Sequence, residues 1–299
     1  MLTKLEILEK LPTATKEERR KLLKLARELD SDPIVQFKNQ IIHGDCFEIL
    51  KSIPDGSIDA VITDPPYMTT DLNFDKAGFD VDLFLKLLLP KLKNDGQLAV
   101  FGSIKLLAKF STIYPIRWSG MWLKPLSVMR THDAKKPMSK SEPYCIFAHP
   151  KHKISNLVYN KILLPGEPYK KKRTNTGYIR DGINQIDRAN TSAWTKDGYI
   201  SENHGTRQQT DVIEAPNKPC LKHHERTIHP TQKPVALIST LVQWITNPGD
   251  LILDPFAGSG TTAVACKELG RNYICIEKEL EYYQIAKQRI EATTKLDKP

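Results

Sequence analysis

The sequence predicts an α/β fold in which a mostly parallel sheet is covered by helices on both faces. Three observations carry that reading. The runs IDAVIT at 58–63 and LIL at 251–253 are apolar and β-branched, as strands buried on both faces should be, and each is stopped by Asp-Pro. Short runs of this kind alternate with helical patterns along most of the chain, which is the signature of a layered α/β domain. From 151 to 228 the periodicity fades and turn formers multiply. A structureless loop of that length is foreign to a compact domain, so the segment reads as an inserted module.

Taken in order, residues 1–37 form a helical extension. Thr15 is placed to cap a helix with Glu17 and Glu18 in its first turn, Leu22, Leu23, Leu25, Ala26 and Leu29 supply an apolar stripe, and Asp32-Pro33 ends it. The segment 38–150 follows as a first α/β half. QIIHGD is a strand, CFEILKSI a short helix, Pro54-Asp55-Gly56 a turn and IDAVIT the next strand; VDLFLKLLLPKL is helical, Asn94-Asp95-Gly96 turns the chain, QLAVFG is a strand and SIKLLAKF a helix. MWLK and YCIFAH read as further strands. In 229–299 the pattern resumes with a helix over Thr231–Ile245, the strand LILD, a helix beginning between Gly258 and Thr262, the strand NYICIE and an amphipathic run from Glu279.

Composition narrows the partners. A chain of 299 residues with 40% hydrophobic and 26% charged residues can bury a full core. No apolar run is long enough to cross a bilayer, and the first ten residues lack a signal peptide's apolar centre, which points to the cytoplasm. Cys46, Cys145, Cys220, Cys266 and Cys275 have neither CxxC pairing nor zinc-ligand spacing, so free thiols and no metal are expected. The formal charge of +9 favours a polyanion, nucleic acid before an anionic membrane. Within 151–228 the positive residues Lys170, Lys171, Lys172, Arg173, Arg180 and Arg188 alternate with Tyr159, Tyr169, Tyr178 and Trp194, a composition suited to phosphate and base contact. A flexible basic loop with no reading role is the plainer alternative.

The stretch Asp254-Pro255-Phe256-Ala257-Gly258-Ser259-Gly260-Thr261-Thr262 reads as a cofactor loop. Gly258 and Gly260 let backbone approach a ligand closely, and the amides at the following helix start favour an anionic group. Glu277 ends the next strand about twenty residues on, where a carboxylate can accept from both hydroxyls of a ribose. The full GxGxxG and GxxxxGK[ST] patterns are missing, so a nucleoside carrying a carboxylate and no phosphate fits better than NAD or ATP. S-adenosylmethionine is such a molecule.

Asp64-Pro65-Pro66-Tyr67 reads as the acceptor loop. An exocyclic amine on adenine or cytosine is a poor nucleophile because its lone pair is delocalised. The Asp64 carboxylate and the Pro65 carbonyl can accept its two N–H groups and stabilise the charge that grows on nitrogen, while Pro65 and Pro66 stiffen the bend. Tyr67 offers a face for an extruded base.

With both loops present, the chain resembles the amino-methylating DNA methyltransferases of the N6-adenine and N4-cytosine family, over roughly Ile41 to Ile290. His229-Pro230-Thr231-Gln232-Lys233-Pro234 is a third matching motif, and the order of motifs is that of the family's β group. The resemblance implies a circularly permuted Rossmann-like methyltransferase fold with a seven-stranded sheet. It also implies S-adenosylmethionine as methyl donor, held by Asp254, Phe256, Gly258, Gly260 and Thr261 at its methionine part, by Glu277 at the ribose and by Asp45 with Cys46 at the adenine. Lys233 would close over the donor, and 151–228 would be the target-recognition region. Double-stranded DNA is the implied substrate; a cognate restriction endonuclease and a homodimer are partners the resemblance allows. Asp64, where N4-cytosine enzymes more often carry Ser, favours adenine N6.

Other readings fit less well. Carbon-5 cytosine methylation needs a Pro-Cys nucleophile, and Pro219-Cys220 lies in the irregular region far from the acceptor strand. Relatives that methylate RNA or protein glutamine usually place the cofactor motif first. A DNA-binding regulator that kept the fold without turnover would not need Asp64, Tyr67, Gly258 and Glu277 together.

Overall fold

A computed structural model describes residues 7, 9–66, 79–125, 138–153, 157–173, 179–180, 183–184, 199–216 and 227–294. Helix α1 (Lys16–Ser31) opens with the anticipated cap: Thr15 N–H donates to Glu18 Oε2 at 2.9 Å and Glu18 N–H donates back to Thr15 Oγ1 at 3.4 Å. Asp32-Pro33 stops it, and Asp32 then caps a single 3-10 turn.

Strand β1 (Gln40–His43) leads into α2 (Cys46–Ser52), β2 (Ile58–Thr63), α3 (Val81–Leu88), β3 (Leu92–Phe101), α4 (Ile104–Ser111), β4 (Ile116–Leu123) and β5 (Ser141–Ala148). Asp45, Asp80 and Ser103 cap the three helices with their side-chain oxygens, each on an N–H of the first turn. Six short strands follow: β6 (Leu163–Pro165), β7 (Tyr169–Arg173), β8 (Ile179–Arg180), β9 (Ile183–Asn184), β10 (Tyr199–Asn203) and β11 (Thr206–Gln208). After β12 (Val212–Glu214) come α5 (Val235–Ile245), β13 (Leu251–Asp254), α6 (Thr261–Glu268), β14 (Asn272–Glu277) and α7 (Leu280–Ala292).

Among the described residues, eight strands build the main sheet in the order β1-β14-β13-β2-β3-β5-β4-β12. The run from β1 to β3 is parallel, β5 is antiparallel to both its neighbours, and β12 pairs with β4 in parallel. The doubly covered sheet is as anticipated; the count of seven strands is corrected to eight. Val212–Glu214, read from sequence as part of the irregular excursion, is the added edge strand, with Ile213 buried opposite Trp122.

Side chains alternate across the sheet. Val61, Leu98, Val100, Leu253, Ile274 and Ile276 enter one core with Leu50 of α2, Phe84 and Leu88 of α3 and Phe110 of α4. Their neighbours Ala60, Ile62, Ala99, Ile252 and Cys275 are also buried and lie outside that core, and α5 packs on β2 and α6. This double burial is why the parallel strands read as unbroken apolar runs.

Two local expectations are corrected. Asn94-Asp95-Gly96 does not precede the strand but lies within β3: between Ile58 and Ala60 the partner strand advances from Leu92 to Gln97, so the intervening residues bulge out. Gly96 is needed there, since a Cβ would stand 2.5 Å from Leu92 Cγ. Helix α5 starts at Val235, not Thr231, because Pro234 biases Lys233 away from helical backbone.

Residues 161–210 form a separate compact unit, narrower than the 151–228 anticipated; the larger unit holds 1–160 and 211–299. In the smaller unit β7 pairs with β10, β6 with β11 and β8 with β9, all antiparallel. No described helix is long and apolar enough to cross a membrane.

Candidate active site

Four strands of the larger unit end at one edge. Register places His43 beside Glu277, Asp254 beside Cys275 and Leu253 beside Val61. Asp45, Asp64, Asp254 and Glu277, which span most of the sequence, therefore reach the same carboxyl edge, where open α/β sheets bind ligands.

A buried hydroxyl joins the two loops. Thr63 Oγ1, one residue before Asp64, donates to Asp254 Oδ1 at 3.1 Å. The same oxygen accepts the Phe256 N–H at 3.1 Å, and Oδ2 accepts Thr262 Oγ1 of α6 at 2.5 Å. Asp254 is thus the strut holding acceptor loop, glycine loop and helix together. Burial pushes its carboxyl up to about 6 despite these donors. The ring of Phe256 lies in an aromatic cluster with Phe79 and Phe84, so this residue faces the loop through its backbone.

The glycine loop is held from both sides. Gly258, at φ +52°, donates its N–H to Glu277 Oε2 at 2.7 Å, and Glu279 N–H donates to Oε1 at 2.8 Å. A Cβ on Gly258 would sit 2.8 Å from His229 Nε2, and His229 in turn packs edge-on against Tyr282 of α7. Gly260, at φ +77°, caps α6. Arg289 of α7 donates to the Ser259 carbonyl at 2.6 Å and to Ser259 Oγ at 3.0 Å. Thr261 Oγ1 donates to the Lys233 carbonyl at 3.0 Å, tying the 229–234 motif to the loop.

Burial raises Glu277 to about 7. Each of its oxygens accepts one backbone N–H and keeps further acceptor capacity, which suits a pair of hydroxyls. Glu277 therefore fits the ribose of a nucleoside. Asp45 caps α2 through the Phe47 N–H at 2.8 Å, and its other oxygen meets Lys278 Nζ at 3.0 Å. Cys46 is buried at the start of α2 and its thiol is raised to about 12, so it contributes packing rather than charge. No group of His, Cys, Asp or Glu able to hold a metal occurs among the described residues.

Around Asp64 the structure assembles a charge network that sequence reasoning missed. Lys233 Nζ is hydrogen-bonded to Asp64 Oδ2 and lies 3.6 Å from Glu142 Oε2. Glu142 Oε1 accepts from Lys124 Nζ, which lies 4.7 Å from the centre of the Trp122 ring. The reason these residues meet is topological: β5 runs antiparallel to β3, so its first residues, Glu142 among them, open at the carboxyl edge, and β4 delivers Lys124 there. The Lys233 ammonium is buried, which works against its charge, yet Asp64 and Glu142 outweigh that and raise its pKa. Nothing local marks Lys124 or Glu142 as functional; the Thr before Asp-Pro and the Thr pair closing the glycine loop were visible signals for Thr63 and Thr262.

Pro65 is buried and Pro66 half-buried. Tyr67 and Arg188 lie outside the described residues. Lys170 stands on β7 of the smaller unit, 3.5 Å from Glu202 of β10, and Lys171, Lys172 and Arg173 continue that strand, while Arg180 is in β8.

Residues 58–288 match a family model described as DNA methylase, N6_N4_Mtase. Type II methyltransferase M.HinfI of Haemophilus influenzae is 30% identical over 86% of this chain and 69% of its own length. Type II methyltransferase M.HpaI of Haemophilus parainfluenzae is 28% identical over 85% and 74%. Among solved structures, the M1.HpyAVI–SAM complex superposes with a TM-score of 0.54 at 28% identity, covering 84% of this chain and 98% of that one. PvuII DNA methyltransferase, cytosine-N4-specific, shares the fold with a TM-score of 0.56 at 18% identity over 84% and 85%. The chain belongs to the N6_N4_Mtase family of DNA methylases.

Proposed function

We propose that the protein transfers a methyl group from S-adenosylmethionine to the N6 amino group of adenine in double-stranded DNA, with the motif order of the β group. The observation that carries this reading is the Thr63–Asp254 hydrogen bond, which fixes the acceptor loop beside the glycine loop at one sheet edge. Support for the donor comes from the fit of Glu277 beside the glycine loop to a ribose, and from the similar M1.HpyAVI, whose structure is a SAM complex.

When bound, S-adenosylmethionine would supply an electrophilic methyl carbon with a neutral thioether as its leaving group, and the proton lost by the methylated nitrogen would pass to water. Glu277 would accept from the ribose hydroxyls, and the Gly258–Thr261 backbone would border the methionine part. Asp64 and the Pro65 carbonyl would accept the amine N–H groups of a base extruded from the duplex, drawing the nitrogen toward tetrahedral geometry; such extrusion costs a few kcal/mol. Asp64 rather than Ser at this position favours adenine. The basic strand β7 and Arg180, together with Arg188, would hold phosphates in the target-recognition region.

The test is incubation of the protein with labelled donor and duplex DNA, followed by nucleoside analysis. N6-methyladenine is expected. N4-methylcytosine would overturn the choice of base, and DNA binding without label transfer would overturn the enzyme. Replacing Lys171 and Lys172 should weaken binding to all duplexes and reduce the logarithmic salt slope by about 0.9 per lost phosphate contact; an unchanged slope would remove them from the interface.

A further inference from the structure

The pairing at Asp64 poses a problem for any base that must use it. Its Oδ2 is hydrogen-bonded to the Lys233 ammonium, so an amine N–H that takes this oxygen competes with a buried cation for it. A cation there would also oppose the positive charge that grows on a reacting nitrogen. Moving a buried ammonium into an apolar site would be prohibitive. The structure supplies a second acceptor: Glu142 Oε2 is buried, accepts no hydrogen bond from the described residues, and stands 3.6 Å from Lys233 Nζ, an ion-pair separation too long for a hydrogen bond. Its companion Oε1 is held by Lys124, whose ammonium lies over Trp122, so the acceptor is fixed before it is needed.

We propose that Lys233 is a two-position counterion, paired with Asp64 while the acceptor pocket is empty and drawn onto Glu142 when a target amine takes Asp64 Oδ2, with Glu142 as the positioning residue that makes the exchange possible. The inference rests on Asp64 as the amine acceptor. Both positions lie inside one network of two carboxylates and two lysines, so the formal charge of the site is the same before and after. The ring centres of Phe101, 5.3 Å from the ammonium, and Trp122, at 5.8 Å, present aromatic faces to the cation.

The experiment compares single-turnover methyl transfer at saturating donor in four forms: the intact chain, Glu142→Gln, Lys233→Met and the double variant. Glu142→Gln removes the receiving charge and strands Lys233 on Asp64. Transfer should fall by about ten- to a hundredfold, the range expected for a hydrogen bond to a charged group, while donor affinity stays within about twofold. In the double variant the competing cation is gone, so transfer should be faster than in Glu142→Gln alone. That coupling must appear in the rate while donor affinity and melting temperature match in the two variants, because relief of a stranded buried charge alone would move stability as well. A Glu142→Gln rate within about twofold of the intact chain, or a double variant no faster than the single, overturns the proposal. If Glu142→Gln does not fold, the comparison runs on Lys124→Met/Glu142→Gln, with and without Lys233→Met, and the same ordering decides. Asp64→Ala separates the two levels: full transfer in that variant removes the acceptor reading itself, whereas loss of transfer there with an unaffected Glu142→Gln removes the counterion exchange alone.

Discussion

Strand β2 carries an aspartate near each end, and both meet a lysine. At the amino end Asp59 Oδ1 accepts from Lys93 at 2.6 Å and its Oδ2 accepts the Leu251 N–H at 2.9 Å. Beyond the carboxyl end Asp64 accepts from Lys233. The aspartates are equally exposed, at 23%, but Lys93 is 41% exposed and Lys233 only 8%. Water can replace Lys93 as the partner of Asp59, and the second oxygen serves the backbone of β13. Lys233 has no such exchange with solvent, and its alternative is another carboxylate. The same ion pair is a clip between strands at one edge and, on the proposed reading, an adjustable element of a reaction site at the other. Burial of the cation makes the difference.

Breaking the active-edge pair should have the largest consequence. Asp64→Ala is expected to reduce methyl transfer by about a hundred- to a thousandfold, the scale of losing one preorganised electrostatic group. Donor affinity, measured by calorimetry, should change little, because Glu277 and the glycine loop are intact. Gly258→Ala reverses that pattern: a left-handed residue other than glycine costs about 1–2 kcal/mol, and the new methyl must push His229 aside, so donor affinity and melting temperature should fall together.

Glu277 sharpens the comparison through pH. Its folded pKa, about 7, lies above the ordinary carboxylate value, so the stability it contributes is present at low pH and lost as pH rises through about 7. Glu277→Gln should flatten that part of the stability profile in chemical denaturation at about pH 5 and about pH 8. Donor affinity has the opposite sense. An ionised carboxylate accepts better from ribose hydroxyls, so affinity should weaken as pH falls below about 7 in the intact chain and lose that dependence in the variant. The smallest effect is expected at the other edge: Lys93→Ala should cost no more than about 1 kcal/mol, as exposed pairs do, and leave transfer unchanged.

Much of this is legible in the sequence. The Asp-Pro stops after IDAVIT and LIL place Asp64 and Asp254, and the glycines place the loop beside Glu277. Helices α1 to α4 and α7 begin within a residue or two of their expected starts. The missing parts have a common cause. Val212–Glu214 is too short and too exposed on alternate residues to announce itself, and becomes a strand through the open edge of β4. Asn94-Asp95-Gly96 is turn chemistry that the sheet absorbed as a bulge.

By itself the sequence determined the local backbone and the residue types at both loops, because apolar period, proline stops and glycine depend on near neighbours. Tertiary structure decided which charges meet. Lys233 is 169 positions from Asp64, and Glu142 reaches them because one antiparallel strand begins where the parallel ones end. Strand order is set by the packing of the whole sheet, and the balance of charge around Asp64 follows from that order.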